Sequence, residues 1–422
     1  MALFDEILAE TKRTKAASRL LAKLPSVVKN RALLKMADDL ISASDFLVTE
    51  NAKDIDTGKK KGLTEPLLER LTLTPKRIAT MSEGLKQVAA LPDPVGEILG
   101  MKRLENGLQV GQMRGPIGVI GIIYESRPNV TADVAGLCIK SGNGVILRGG
   151  SEAIYSNTAI AKILEESGAS AGLPPHVVNL IKTTDRQAIY ELLKMEQTVD
   201  LIIPRGGEGL IRTVVEHSKI PVMKHDKGIC HTYIDESADI EMAEEIALNA
   251  KVQRPSVCNA METLLVHTSL AATFLPRFAK RLQAAGGTIY GCEKTLALLQ
   301  GEIDGLLPAE ESDWYAEYLD LRLAVKIVAS MEEAIQHIEV YGSEHSEAIV
   351  TRDHPRAMRF LNEVDASAVF INSSTRFSDG FQLGLGAEMG ISTSRIHARG
   401  PMGLTALTTA KFIVLGDGQV RS

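Results

Sequence analysis

Three features of the 422-residue sequence predict an α/β fold of two successive units. Near-continuous apolar runs at 117–123 and 144–148 read as strands buried on both faces. Segments of helical period alternate with such runs as far as residue 204, which implies a doubly wound parallel sheet. A second alternating series begins near Gly228, and a chain this long exceeds what one core serves, so two or three domains are expected.

From residue 5 to about 90, apolar residues recur at spacings of three and four: Ala17, Leu20, Leu21 and Leu24, then Ala32, Leu33, Met36, Ala37 and Leu40. That is the mark of packed helices, with Ser44 and Thr74-Pro75 as expected starts. The breakers at 91–94 end this part, and 108–114 alternates as a strand able to extend as a hairpin. After the strand at 117–123 the pattern gives helices at 130–141, 156–167, 186–195 and 210–217, interleaved with strands at 144–148, 177–181 and 200–204. The second series gives strands at 231–234, 263–267, 288–290, 323–328, 347–351 and 368–372, with helices at 239–251, 271–284, 331–340 and 355–363. Glycine-rich residues 377–403 read as ordered loop, and 407–415 as a closing strand.

Composition excludes several classes of function. Hydrophobic residues at 45% and charged residues at 24% are ordinary globular usage and argue against disorder. A net charge of −6, with no basic stripe, argues against nucleic acid or an anionic membrane as partner. The run Lys59-Lys60-Lys61-Gly62 reads as a solvated helix end capped by glycine. The acidic start Met1-Ala2-Leu3-Phe4-Asp5-Glu6 lacks the order of a signal peptide, and no long apolar run is present, so a soluble cytoplasmic protein is expected. Four cysteines without a CxxC suit a reducing compartment, and no histidine stands at ligand spacing from another histidine or a cysteine, which disfavours a metal site.

Chemistry concentrates in RPSVCNAME at 254–262, where apolar periodicity stops before the strand at 263–267. Cys258 belongs to no apolar stripe, so it reads either as an exposed nucleophile or as a loop cysteine packed under Met261. By contrast Cys138 lies in a helical apolar run, Cys230 begins a strand, and Cys292 ends one as the credible rival thiol. In a doubly wound sheet, ligands bind beyond the carboxyl ends of strands. Three such ends carry Tyr124 to Asn129, Arg148-Gly149-Gly150-Ser151-Glu152 and Arg205-Gly206-Gly207-Glu208-Gly209. Each glycine pair alone is more often a tight turn than a phosphate cradle, but the three together, two of them with arginine, favour an anionic cofactor.

The order GPIGVIGIIYESRP, KSGNGVILRGGSEA, VDLIIPRGGEGL, the cysteine loop and Glu317-Tyr318-Leu319-Asp320 resembles the aldehyde dehydrogenase superfamily along essentially the whole chain. Val328, Ala334-Ile335, His337-Ile338, Tyr341-Gly342-Ser343, His345-Ser346-Glu347 and Ile349 fit the signature of its branch that reduces an acyl phosphate of glutamate. The resemblance implies a fold with a Rossmann-type cofactor domain, a second α/β catalytic domain and a small β oligomerisation element. Its parts would be an N-terminal helical segment at 1–103, an oligomerisation hairpin at 104–115, the cofactor domain at 116–227, the catalytic domain at 228–372, a return to the cofactor domain at 373–404 and an oligomerisation strand at 405–422.

The implied reaction is reduction of L-glutamyl 5-phosphate by NADPH to L-glutamate 5-semialdehyde and phosphate, in proline biosynthesis, through a thioester on Cys258. Arg127 stands where oxidising relatives carry an asparagine oxyanion donor, and His225 where they carry the glutamate that activates water. Gly206 and Gly207 would meet the cofactor pyrophosphate, and Glu317 the nicotinamide ribose. Ser151, with Glu152 beside it, replaces the acid that binds the adenine ribose, so that Arg148 or Ser151 would accept a 2′-phosphate. Arg254, a candidate cation for the thiolate, would meet the substrate together with Asn259, His345 and Ser346, with Arg376 and Asp379 as further candidates for its amino-acid head. Implied partners are a second copy of the chain, as homodimer or homotetramer, and glutamate 5-kinase as a candidate for docking. Three other readings stay open at this level: a CoA-acylating dehydrogenase, a catalytically silent binding module, and zinc chemistry of the histidinol dehydrogenase type.

Overall fold

The computed structural model describes residues 2–224 and 227–421. The chain divides into two compact units, the first comprising Met1–Lys224, Leu385–Met389 and Met402–Ser422, the second His225–Gly384 and Gly390–Pro401. The expected return at 373–404 is therefore divided, since most of it stays with the second unit.

The first unit opens with helices α1 (Ala2–Leu21), α2 (Ser26–Ser42), α3 (Ser44–Lys60), α4 (Glu65–Leu71) and α5 (Pro75–Ala90). Ala32, Leu33, Met36, Ala37 and Leu40 line the buried face of α2. At α5 the Thr74 hydroxyl accepts the Arg77 amide and Pro75 sits in the first turn, where the missing N–H costs nothing. Strands β1 (Ile98–Arg103) and β2 (Gln109–Pro116) pair antiparallel. β1 was not foreseen, because all six of its residues are exposed and no one-sided pattern marks it.

Next come β3 (Val119–Tyr124), α6 (Asn129–Lys140), β4 (Gly144–Gly149), α7 (Ile154–Ser170), β5 (Val178–Leu180), α8 (Gln187–Leu192), β6 (Leu201–Arg205) and α9 (Glu208–His217). The four strands are parallel in the order β5-β4-β3-β6, and every residue of β3 and β4 is buried. The chain leaves β3 for β4 and β5 on one side, then crosses to β6 on the other, so the carboxyl ends of β3 and β6 form the topological switch point. Gly118 leads into β3 at φ +136°, and a Cβ there would lie 2.2 Å from Asp200 Oδ2, the oxygen that accepts the Val119 amide. Only glycine fits that approach.

The second unit holds β7 (Cys230–Ile234), α10 (Ile240–Val252), β8 (Met261–His267), α11 (Thr268–Ala284), β9 (Thr288–Gly291), α12 (Glu293–Leu299), β10 (Leu306–Pro308), α13 (Glu311–Trp314), β11 (Arg322–Val328), α14 (Met331–Tyr341), β12 (Ser346–Val350), α15 (His354–Glu363) and β13 (Ala368–Ile371). Its seven strands are parallel in the order β10-β9-β11-β8-β7-β12-β13. Side-chain carboxylates and hydroxyls cap α10 (Asp239), α14 (Ser330) and α15 (Asp353), which fixes where each helix leaves the sheet. A short ribbon, β14 (Ile391–Ser392) with β15 (Gly400–Pro401), completes this unit. Finally β16 (Thr408–Leu415) pairs antiparallel with β2. The α/β class with parallel sheets stands as expected, and no helix among the described residues is long and apolar enough to cross a membrane.

Candidate active site

Cys258 lies between α10 and β8 on the amino edge of the second sheet, where β7, β8 and β12 begin at Cys230, Met261 and Ser346. It is in no disulfide and is partly exposed. Helix α10 enters this loop by its C-terminal end, whose dipole is negative, so a thiolate here must be favoured by cationic side chains rather than by that helix. Arg254 is exposed in the loop itself. Arg376, half-buried on the turn Thr375–Phe377, donates from Nε to Gln253 Oε1 at 2.9 Å. Burial and the neighbouring Arg254 push the Arg376 guanidinium down, while Asp379, Cys258 and Cys230 pull it up. Two like charges thus share one locality with the thiol, an arrangement that an anionic ligand relieves.

The backbone of the nucleophile loop is held from several sides. A Cβ on Gly228 would sit 1.8 Å from the Cys258 carbonyl oxygen, so only glycine admits this approach. The same oxygen accepts the Cys230 thiol at 3.3 Å, and burial pushes that thiol well up, keeping it protonated. Thr375 donates to the Asn259 carbonyl at 2.8 Å, and the Asn259 amide donates to the Ser378 carbonyl at 2.9 Å. Glu317 Oε1 accepts the Gly228 amide at 2.8 Å. His345 and Ser346, both fully buried, lie behind this layer: His345 Nδ1 is 3.6 Å from Cys230 Sγ and 2.9 Å from Ser346 Oγ.

At the switch point of the first unit, the Glu125 amide donates to the Arg205 carbonyl at 3.1 Å, and Glu125 Oε2 accepts the Gly207 amide at 2.9 Å. Gly207 caps the N-terminus of α9, so a carboxylate already occupies an amide suited to an anion. Gly206 lies against the same carboxylate. Glu152 Oε1 accepts both the amide and the hydroxyl of Ser126 at 2.7 Å, propping that residue at φ +41°. Ser151 is exposed at the start of a single 3₁₀ turn. Arg148 is buried, its Nη1 donating to the Gly149 carbonyl and its Nη2 to the carbonyls of Thr184 and Asp185, while its Nε has no partner. Arg127 is exposed on the loop after β3. His225 lies outside the described residues.

The other thiols separate cleanly from Cys258. Cys138 is sealed within α6 and burial pushes its thiol up. Cys292 follows β9 at the opposite, carboxyl edge of the sheet, packed beside Thr295 and the Val325 carbonyl. Among the described residues no group of three or more histidine, cysteine or acidic side chains is placed to hold a metal. Sequence reasoning missed Gly228 and Cys230 as parts of the two clusters, and reached Glu125 only within the stretch Tyr124 to Asn129. Glu125 follows a buried strand directly, which is the one signal that marked it.

Two parallel sheets, a glycine turn at a switch point and a half-exposed cysteine define a class of enzyme, and comparison agrees. The model of the aldehyde dehydrogenase family matches residues 5–287. The chain belongs to this family, an oxidoreductase of its kind. It is 56% identical over 417 residues to the gamma-glutamyl phosphate reductase of Carboxydothermus hydrogenoformans, covering 99% of this chain and 100% of that one. The reductase of the same name from Thermodesulfovibrio yellowstonii is 55% identical over 98% of both chains. The crystal structure of gamma-glutamyl phosphate reductase from Thermotoga maritima superposes with a TM-score of 0.96 at 44% identity, over 99% of this chain and 100% of that one. An acetylating aldehyde dehydrogenase from Geobacillus thermoglucosidasius shares the fold at a TM-score of 0.71 and 18% identity, over 100% of this chain and 98% of that one. Within the family, these relatives group the chain with the gamma-glutamyl phosphate reductases.

Proposed function

We propose that the protein reduces L-glutamyl 5-phosphate to L-glutamate 5-semialdehyde, with NADPH as reductant and Cys258 as nucleophile, as a step of proline biosynthesis. The observation that carries this reading is the placement of the half-exposed thiol beside Arg254 and Arg376, in a chain more than half identical to reductases bearing that substrate's name. Cys258 Sγ attacks the acyl carbon, the bond from that carbon to the phosphate oxygen breaks, and phosphate leaves against the two guanidiniums. The Cys258 amide is the candidate donor for the oxyanion that forms before collapse to a thioester. NADPH, when bound, supplies the hydride that the thioester carbon accepts. Return of the oxygen electron pair then expels the thiolate and frees the aldehyde.

The first unit fits such a cofactor, since the Gly207 amide at the switch point already holds a carboxylate in the manner of a pyrophosphate oxygen. Preference for NADPH rests on exposed Ser151, which offers a 2′-phosphate no repelling acid. His225 in place of a water-activating glutamate would spare the thioester from hydrolysis. Exposed Phe412, Val414 and Leu415 on β16 support a homodimer or homotetramer built on that strand, and the four free cysteines suit the cytoplasm.

Run backwards, the enzyme should reduce NADP+ with glutamate 5-semialdehyde only when phosphate or arsenate is added. Quenched without either anion, it should carry a glutamyl mass on the peptide containing Cys258. Absence of that mass, or a requirement for CoA in place of phosphate, would overturn the reading.

A further inference from the structure

We propose that the buried pair Lys251 and Glu262, acting through Leu319 and Glu317, is a positioning device that holds the Cys258 backbone in its attacking geometry. The inference rests on the reading of Cys258 as nucleophile. Neither the Lys251 nor the Glu262 side chain is exposed to solvent, and neither takes part in the steps above.

Helix α10 ends at Val252 and β8 begins at Met261, so these two side chains stand at the two ends of the nucleophile loop. Lys251 Nζ lies 2.5 Å from Glu262 Oε2, and both side chains are 0% exposed. The pair closes the neck of the loop. Its second carboxylate oxygen has a separate task, since Glu262 Oε1 accepts the Leu319 amide at 3.3 Å. Leu319 sits at φ +56°, a conformation that leucine adopts only when the surroundings impose it. Two residues earlier, Glu317 accepts the Gly228 amide at 2.8 Å, and Gly228 presses on the Cys258 carbonyl so closely that a methyl group there would lie 1.8 Å from the oxygen. The contacts close on themselves, from Cys258 along the chain to Glu262, across to Leu319, back to Glu317, and through Gly228 to Cys258 again.

Stability alone does not account for such a pair. Burial pushes Glu262 up to about 7 in spite of Lys251, and pushes Lys251 down, so ionising either group here is costly. Apolar side chains of similar volume often serve a core as well or better. What an apolar pair lacks is an acceptor for the Leu319 amide. Displacement of a nucleophile by a fraction of an ångström costs catalysis far more than it costs folding.

The test compares Lys251→Met/Glu262→Leu, which removes both charges and the acceptor, with Lys251→Met/Glu262→Gln, which removes the charges and keeps the acceptor. Turnover, KM, thermal midpoint and the rate of iodoacetamide alkylation at Cys258, read by peptide mass across a range of pH, are measured with and without NADP+. The leucine variant is expected to lose about tenfold or more in kcat, with KM little changed and the alkylation profile shifted, while the glutamine variant stays within about threefold of the parent. Parental kcat and alkylation in the leucine variant would overturn the proposal, as would equal impairment in both. Should the leucine variant fail to fold, Glu317→Leu and Glu317→Gln decide the matter by alkylation of the cofactor-free enzyme: a shift in the first but not the second supports the ring, and no shift in the first overturns it. Alkylation reads the loop directly, whereas full activity in Cys258→Ser would refute the nucleophile and leave that measurement standing.

Discussion

Glu125 Oε2 accepts the amide of Gly207 at 2.9 Å, so the N-terminus of α9 is already bound to an anion supplied by the chain itself. A cofactor pyrophosphate at that amide has to displace the carboxylate and bear its repulsion. Glu125→Gln is therefore expected to tighten NADP+ binding by a few-fold and up to about tenfold, the worth of one charge-assisted hydrogen bond at a partly solvated site. Fluorescence titration of the purified enzyme checks the direction, and weaker binding in the variant would refute it.

Gly228 offers a sharper geometric test. An alanine there must move the Cys258 carbonyl or its own backbone, because a Cβ would be 2.5 Å from the carbonyl carbon as well. Gly228→Ala is expected to lower kcat about a hundredfold while far-ultraviolet circular dichroism stays that of the parent. A variant with ordinary turnover would show that the close approach has no bearing on the thiol.

The two arginines near the thiol differ in their solvent exposure, and their substitutions should differ accordingly. Arg254 is exposed and its field is screened by water and salt, whereas Arg376 is half-buried and fixed by Gln253. Arg376→Ala is expected to raise KM for the acyl phosphate about tenfold or more, and Arg254→Ala by only a few-fold, with added salt eroding the second effect first. Initial-rate kinetics at two ionic strengths separates them.

Much of this architecture was legible because strand and helix periods differ so plainly around the two parallel sheets. The runs that became β3 and β4 are apolar at nearly every position, as only strands covered on both faces are. Leu20 shows where periodicity overreached: it keeps helical spacing with Ala17 and Leu24 yet is 55% exposed, since spacing marks a helix without saying which neighbour covers which face. Cys258 could be singled out because it fell outside every stripe. Gly228 and Cys230 could not, since their roles depend on β7 lying beside β8, a pairing between residues far apart in sequence, and the Lys251–Glu262 pair could not, since it forms only when the loop between them folds back on itself. The surroundings of Arg148 were hidden for a related reason: two of the three carbonyls that engage it come from a loop whose path the sequence does not disclose.

His337 supplies a prediction about acid stability. It is buried on α14 against the rings of Trp314 and Tyr341, with His231 across from it and Lys326 Nζ 3.3 Å from its Nδ1. Burial, followed by repulsion from His231 and Lys326, lowers its pKa from 6.5 to about 2. Above the unfolded value both states carry a neutral ring, and the favourable contribution is present in full. As pH falls below it, the unfolded chain takes up a proton that the folded one refuses, so stability declines by at most about 1.4 kcal/mol per pH unit, until the folded value is reached. His337→Phe keeps an aromatic ring among its neighbours and abolishes the proton. Between about pH 7.5 and 5.5 the parent should therefore lose roughly 1 kcal/mol more than the variant, seen as a steeper fall in its thermal midpoint. Parallel curves for the two proteins would mean that the ring is protonated in the folded state as readily as in the unfolded one, which its surroundings forbid.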